Sequence, residues 1–131
     1  MKAWGLSDDF RYHGELDRKE KLAFLKNLSV LSVPGPYDDP KGLFLLEAMA
    51  SGVPVVQPRR GAFTEIVETT GGGILVEPDS AEALARGILE LYQNPARRRQ
   101  LGLQGYAGVR RHYSAGCMAG AALKIYQEVI R

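Results

Sequence analysis

Apolar positions along the chain switch between two spacings, and the switches outline an alternating fold. Phe10-Arg11-Tyr12-His13 is a short run of strand type, ended by Gly14. Asp17 to Lys26 reads as a helix with Leu22, Leu25 and Phe24 facing inward. Ser29-Val30-Leu31-Ser32-Val33 reads as a strand stopped by Pro34-Gly35-Pro36. An apolar helix, Leu43 to Ala50, ends at Gly52. Pro54-Val55-Val56-Gln57 is a short buried strand stopped by Pro58, and Phe63 to Glu68 is a short helix broken by Gly71-Gly72-Gly73. Ile74-Leu75-Val76 is a further strand. A helix from Ser80 to Tyr92 follows, with Ser80 as its cap and Leu84, Ile88, Leu89 and Leu91 as its apolar positions. Pro95 to Tyr113 and Ala115 to Ile130 are two closing helices.

This β-α-β-α-β order predicts an α/β fold with a small parallel sheet of three or four strands and right-handed crossovers. The pattern begins in mid-course, without an obvious first βα unit, so the expectation is part of a larger domain. Ligands of open α/β sheets bind beyond the carboxyl ends of the strands. Pro34–Gly42 and Pro58–Thr64 both follow strands, which puts both loops on one rim. Gly61-Ala62-Phe63-Thr64-Glu65 fits a loop entering a helix there.

The Leu43–Ala50 helix carries the chemistry. Every residue in it except Glu47 is apolar, which predicts a helix buried nearly all round. A buried carboxylate needs a partner, either a protein donor or the hydroxyls of a ligand. Asp39 suits an N-cap, Pro40 the first helical position, and Gly42 a close approach of ligand to backbone. A helix N-terminus favours phosphate. If residues 39 to 47 are helical, the two acids lie about 12 Å apart along the axis, a span that brackets a diphosphate. Equally open is a plain cap at Asp39, with Glu47 paired to the backbone or to an Arg.

Composition narrows the classes. The 131 residues suffice for one domain with a core. A net charge of +2 is too small to argue for nucleic acid, and Arg97-Arg98-Arg99 and Arg110-Arg111-His112 read as solvated helix faces. Cys117 alone forms no internal disulfide and reads as a small packing residue in an Ala/Gly-rich helix. No apolar run reaches the length of a membrane span, and Met1 to Phe10 lacks a signal-peptide core. The expected location is cytoplasmic, with peripheral association at a membrane left open. There is no Asp-x-Asp pair or His/Cys cluster of metal-ligand spacing, and Asp38-Asp39 suit a turn.

The run from Pro40 to Val56, Pro-Lys-Gly-Leu-Phe-Leu-Leu-Glu-Ala-Met-Ala-Ser-Gly-Val-Pro-Val-Val, resembles the C-terminal domain of the retaining glycosyltransferases of group 1, or family 4. Two acids separated by seven residues precede an Ala-Met-Ala-x-Gly-x-Pro-Val-Val segment in that family. Gly61–Val67, Gly73–Pro78 and Tyr113-Ser114 with the helix through Tyr126 extend the resemblance over nearly the whole chain from about His13.

The resemblance implies a partial Rossmann-like parallel sheet flanked by helices. This is the C-terminal half-domain of a two-domain enzyme, spanning residues 1–131 with the N-terminal acceptor domain absent. It implies transfer of a sugar from a nucleoside diphosphate sugar to a hydroxyll of an unknown acceptor (glycan, lipid or small molecule), with retention and without metal or cofactor. Asp39 falls on the acid that contacts donor-sugar hydroxyls and is the catalytic candidate, although the family usually has Glu there. Glu47 falls on the acid that holds the ribose. Gly42 and Leu43 match positions whose N–H groups approach the sugar or phosphates. Lys41 stands where Phe is common; it either reaches the diphosphate as a point charge or is an exposed first-turn lysine. The fragment alone is expected to be inactive and to self-associate through exposed edges. The alternatives are a non-catalytic nucleotide-sugar-binding or interaction module, and a related two-domain enzyme such as a nucleotide-sugar epimerase.

Overall fold

The computed structural model describes residues 5–130. Eight elements follow in order: α1 (Arg18–Asn27), α2 (Leu43–Ala50), β1 (Val55–Pro58), α3 (Ala62–Thr70), β2 (Gly73–Val76), α4 (Ala81–Gln93), α5 (Pro95–His112) and α6 (Ala115–Val129). Local chemistry sets several of the starts. Asp17 accepts from the Glu20 N–H at 2.8 Å, and the Glu20 carboxylate accepts from the Asp17 N–H at 3.0 Å, a reciprocal cap on α1. Ser80, Asn94 and Ser114 cap α4, α5 and α6, with Pro95 pre-set for the first turn of α5.

β1 and β2 pair in parallel, Val55 opposite Gly73 and Pro58 opposite Val76. Leu31 adds one parallel bridge on the other side of Val55. The sheet is smaller than the three or four strands expected. The 29–33 segment contributes that single bridge, with the Leu31 N–H donating to the Pro54 carbonyl and its carbonyl accepting from the Val56 N–H, both at 3.0 Å. The next rung of a parallel ladder would need an N–H at residue 58, and proline has none. Instead the fully buried Gln57 amide serves Val33, accepting from its N–H and donating to its carbonyl at 3.1 Å each. The Phe10–His13 strand does not form either; the segment is irregular, and the His13 ring packs edge-on against Phe24 at 4.9 Å.

Alternate strand residues face opposite layers. Leu31, Val55 and Leu75 join a core with Leu25, Leu45, Met49, Phe63, Ile66 and Val109 from the helices. Val30, Val56, Ile74 and Val76 pack with Leu84, Leu91 and Leu101 on the other side. Helix α5 spans both clusters, and three glycines on one face let it approach the turns of the sheet layer. A Cβ at Gly105 would lie 3.0 Å from the Gly72 Cα, and one at Gly108 would lie 2.6 Å from the Thr70 Cα.

Helix faces depart from several expectations. Leu22, Ile88 and Leu89 are exposed, while Leu91 is buried as expected, Leu84 packs partly buried beside it, and Ala83 and Gly87 take the other buried positions on α4. Ala83 and Gly87 allow the close approach to the sheet, and of the larger side chains Ile88 and Leu89 turn outward. Cys117 is exposed, not a packing residue, because α6 buries none of its residues.

Candidate functional site

Asp39 does not cap α2, and Pro40 lies outside the helix. The cap position is Gly42, in the left-handed region at φ 57°, with no side-chain hydrogen bond to the helix start. Asp39 Oδ1 instead accepts from the N–H groups of Lys41, at 2.8 Å, and Gly42, at 2.5 Å. These two bonds close a turn immediately before the helix. The bond from Gly42, then that from Lys41, holds the Asp39 carboxyl below the usual carboxylate range. Gly42 is required twice over: its φ disfavours a side chain, and a Cβ there would lie 2.7 Å from Ile66 Cδ1. Among the described residues, the N–H groups of Leu43 and Phe44 donate to nothing. They are first-turn donors at the positive end of α2. Lys41 is exposed, and among the described residues it makes no ion pair.

Glu47 is not buried. Leu45, Ala48 and Met49 face the core, while Leu43, Glu47 and Ala50 form an outer stripe at helical spacing. An eight-residue helix packed on one side keeps an open face whatever its composition. The Glu47 side chain is 46% exposed, and its Oε1 accepts from Lys21 Nζ of α1 at 2.7 Å. The protein donor is therefore a lysine rather than an arginine or the backbone. Leu43 and Glu47 lie on α2, whereas Asp39 sits in the turn before it and Gly42 at its cap, so residues 39 to 47 do not form one continuous helix.

The two loops do share a rim, and residues 60–62 hold the Asp39 loop. The Ala62 N–H donates to the Asp39 carbonyl at 2.9 Å. Gly61 lies against the same backbone, at φ 49° and ψ −140°, and a Cβ there would be 2.7 Å from the Asp39 carbonyl oxygen. Arg60 ties three segments together. Its Nη1 donates to the Pro36 carbonyl at 2.9 Å and its Nη2 to Asp79 Oδ2 at 2.6 Å. Beside it, at the carboxyl ends of both strands, is a cavity of about 240 Å³ walled by Pro34, Pro36, Pro58, Val76 and Leu84. That cavity contains none of Asp39, Lys41, Gly42, Leu43 and Glu47.

Sequence reasoning missed Lys21, Arg60 and Asp79. Lys21 had a detectable signal, since it lies one turn before the inward-facing Leu25 and so shares its face. Asp79 is the one non-glycine residue with positive φ among those described. Nothing in the spacing of Arg60 and Asp79 announces their pairing.

The sequence pattern of the family described as glycosyl transferases group 1 matches residues 1–107. The chain belongs to that family. It is 30% identical over 128 residues to the phosphatidyl-myo-inositol mannosyltransferase of Mycobacterium leprae, covering 98% of this chain and 34% of the relative. Among solved structures it is similar to the sucrose-phosphate synthase of Thermosynechococcus elongatus. The TM-score is 0.85 and the identity 32%, over 98% of this chain and 32% of that one. It is also similar to the C-terminal domain of a group 1 glycosyl transferase from Francisella tularensis, with TM-score 0.77 and 29% identity, over 87% of this chain and 58% of that one. The fold is thus the partial Rossmann-like unit of a glycosyltransferase C-terminal domain. The chain spans about a third of the length of the curated relatives it matches. Among the described residues no helix is long and apolar enough to cross a membrane.

Proposed function

We propose that this chain is the donor-binding half-domain of a retaining glycosyltransferase that uses a nucleoside diphosphate sugar without a metal. The observation that supports it best is the layout of α2. Its free Leu43 and Phe44 N–H groups stand between Asp39 at one end and the exposed Glu47 at the other. The diphosphate lies at the helix start, where backbone dipoles stabilise the leaving-group charge. Glu47 accepts from the ribose hydroxyls, and Asp39 faces the donor sugar with the oxygen that its turn leaves free. Lys41, exposed in the turn before α2, adds a point charge near the phosphates.

A complete enzyme of this kind joins the donor to an acceptor hydroxyl across a cleft, and closure of the two halves excludes water. The acceptor, a glycan, lipid or small molecule, is positioned by the other half of such an enzyme. The expected setting is cytoplasmic, with or without peripheral contact with a membrane. The test is calorimetric titration of the chain with UDP, GDP and ADP, together with transfer assays on their sugars. Binding of one nucleotide without turnover is the expected result. Glu47→Gln should weaken that binding by about 1–3 kcal/mol, the scale of a charged hydrogen bond. Unchanged affinity would assign Glu47 to the surface of the fold instead.

A further inference from the structure

The Glu47 carboxylate is held from another element. Lys21 lies 26 residues earlier on α1 and reaches across to Oε1 at 2.7 Å. Both side chains are nearly half exposed, so the pair adds little to stability. Its geometry has a different use. On an open helix face a glutamate samples several rotamers, and each must be frozen when a ligand binds. A lysine fixed to α1, which is anchored by the buried Leu25 and by its reciprocal cap, restricts where that carboxylate points. Only one oxygen is engaged. Oε2 has no partner among the described residues, and each carboxylate oxygen accepts more than one hydrogen bond. A diol can therefore dock without displacing the lysine. The charge also matters. A diphosphate at the start of α2 would lie about one helical turn from an uncompensated carboxylate, and Lys21 cancels that repulsion.

We infer that Lys21 is a positioning residue that orients and neutralises Glu47 for a nucleoside diphosphate. The inference rests on the reading of Glu47 as the ribose acid. It is tested by titrating UDP, GDP and ADP into the chain, into Lys21→Met, Lys21→Arg and Glu47→Gln, and into the Lys21→Met/Glu47→Gln double variant, at low and high salt. Lys21→Met should weaken the nucleotide that the parent chain binds by about two- to fivefold, the scale of one half-exposed charge pair. Lys21→Arg should restore most of the loss. The effect should shrink at high salt and vanish in the Glu47→Gln background, while thermal unfolding stays unchanged. Equal or tighter binding by Lys21→Met overturns the inference, because the pair would then be incidental or would compete with the ligand. Equal losses in the presence and absence of the Glu47 carboxylate overturn it too. A parent chain that binds none of the three nucleotides removes the reading of Glu47 and the inference with it. Binding by the parent with an unaffected Lys21→Met removes the inference alone.

Discussion

Replacing Gly61 by alanine tests whether the two rim loops act as one unit. Gly61 sits at φ 49° and ψ −140°, a combination that side chains rarely adopt, and such strain costs about 1–3 kcal/mol. A Cβ would also lie 2.7 Å from the Asp39 carbonyl oxygen, 3.0 Å from its nitrogen and 3.2 Å from the Asp38 carbonyl carbon. All three are backbone atoms and cannot swing aside. Gly52 is the control: its φ is 78°, but nothing lies within 4 Å of a Cβ there. Gly52→Ala should cost about 1–2 kcal/mol from conformation alone. Gly61→Ala should cost about 2 kcal/mol more, since steric conflict adds to strain.

In urea, with a slope near 2 kcal/mol per molar, that difference is roughly a 1 M lower midpoint. If the Asp39 loop yields instead, the stability loss shrinks but binding of a nucleotide sugar falls relative to its bare nucleoside diphosphate. Either result shows residues 60–62 holding the loop. A Gly61→Ala chain that matches Gly52→Ala in both midpoint and donor binding would refute the coupling.

Two further outcomes are expected. Arg60→Met keeps the apolar stem but removes the bonds to Pro36 and Asp79; it should loosen the Asp39 loop, seen as faster amide exchange at residues 36–42, and an unchanged exchange pattern would dismiss the tie. Asp39→Asn preserves an acceptor for the Gly42 and Lys41 N–H groups and removes the charge, so turnover of the full enzyme should fall while the fold survives. Because those two bonds depress the Asp39 pKa in the folded chain, its stabilising contribution is present above the ordinary carboxylate range and is lost as pH falls through the lowered value. The stability difference between parent and Asp39→Asn should therefore be flat at neutral pH and change only in strong acid, and a change near pH 6 in unfolding curves would contradict this.

The alternating order of helices and strands was legible because it depends on local signals. Ser80 before a helical run, Pro95 after Asn94, and glycines after α2 and α3 all punctuate the chain where the elements begin and end. The third strand was not legible, because its failure depends on which residue stands opposite. In the register of Leu31 opposite Val55, the Val33 carbonyl would accept from the N–H of residue 58, which is proline, and a run of β-formers carries no record of a neighbour's missing N–H. The inward positions of α4 were legible only in part, at Leu84 and Leu91, for a related reason. Leu84, Ile88, Leu89 and Leu91 are the apolar residues, but the sheet comes close enough that Ala83 and Gly87 fill much of the contact. Apolarity names candidates for burial; the distance between layers chooses among them.

Glu47 shows the same limit at the site itself. It was singled out as an acid stranded among apolar residues, on the premise that the helix is buried all round. The helix has one open face, and Glu47 is on it. The premise failed, but the resulting position suits ligand binding better than the one expected. A carboxylate sealed in the core could meet ribose hydroxyls only after the core opened, and it would be satisfied by protein groups before any ligand arrived. A carboxylate on an exposed stripe, held by a single lysine and with one oxygen free, needs no such opening. Leu43, on the same stripe and 59% exposed, is then easier to explain. Its N–H is one of the two unbonded donors at the helix start, and its side chain offers an apolar edge beside that donor. The short apolar helix thus serves two purposes: Leu45, Ala48 and Met49 fix it to the core, while residues 43 and 47 keep their polar groups where a ligand can reach them.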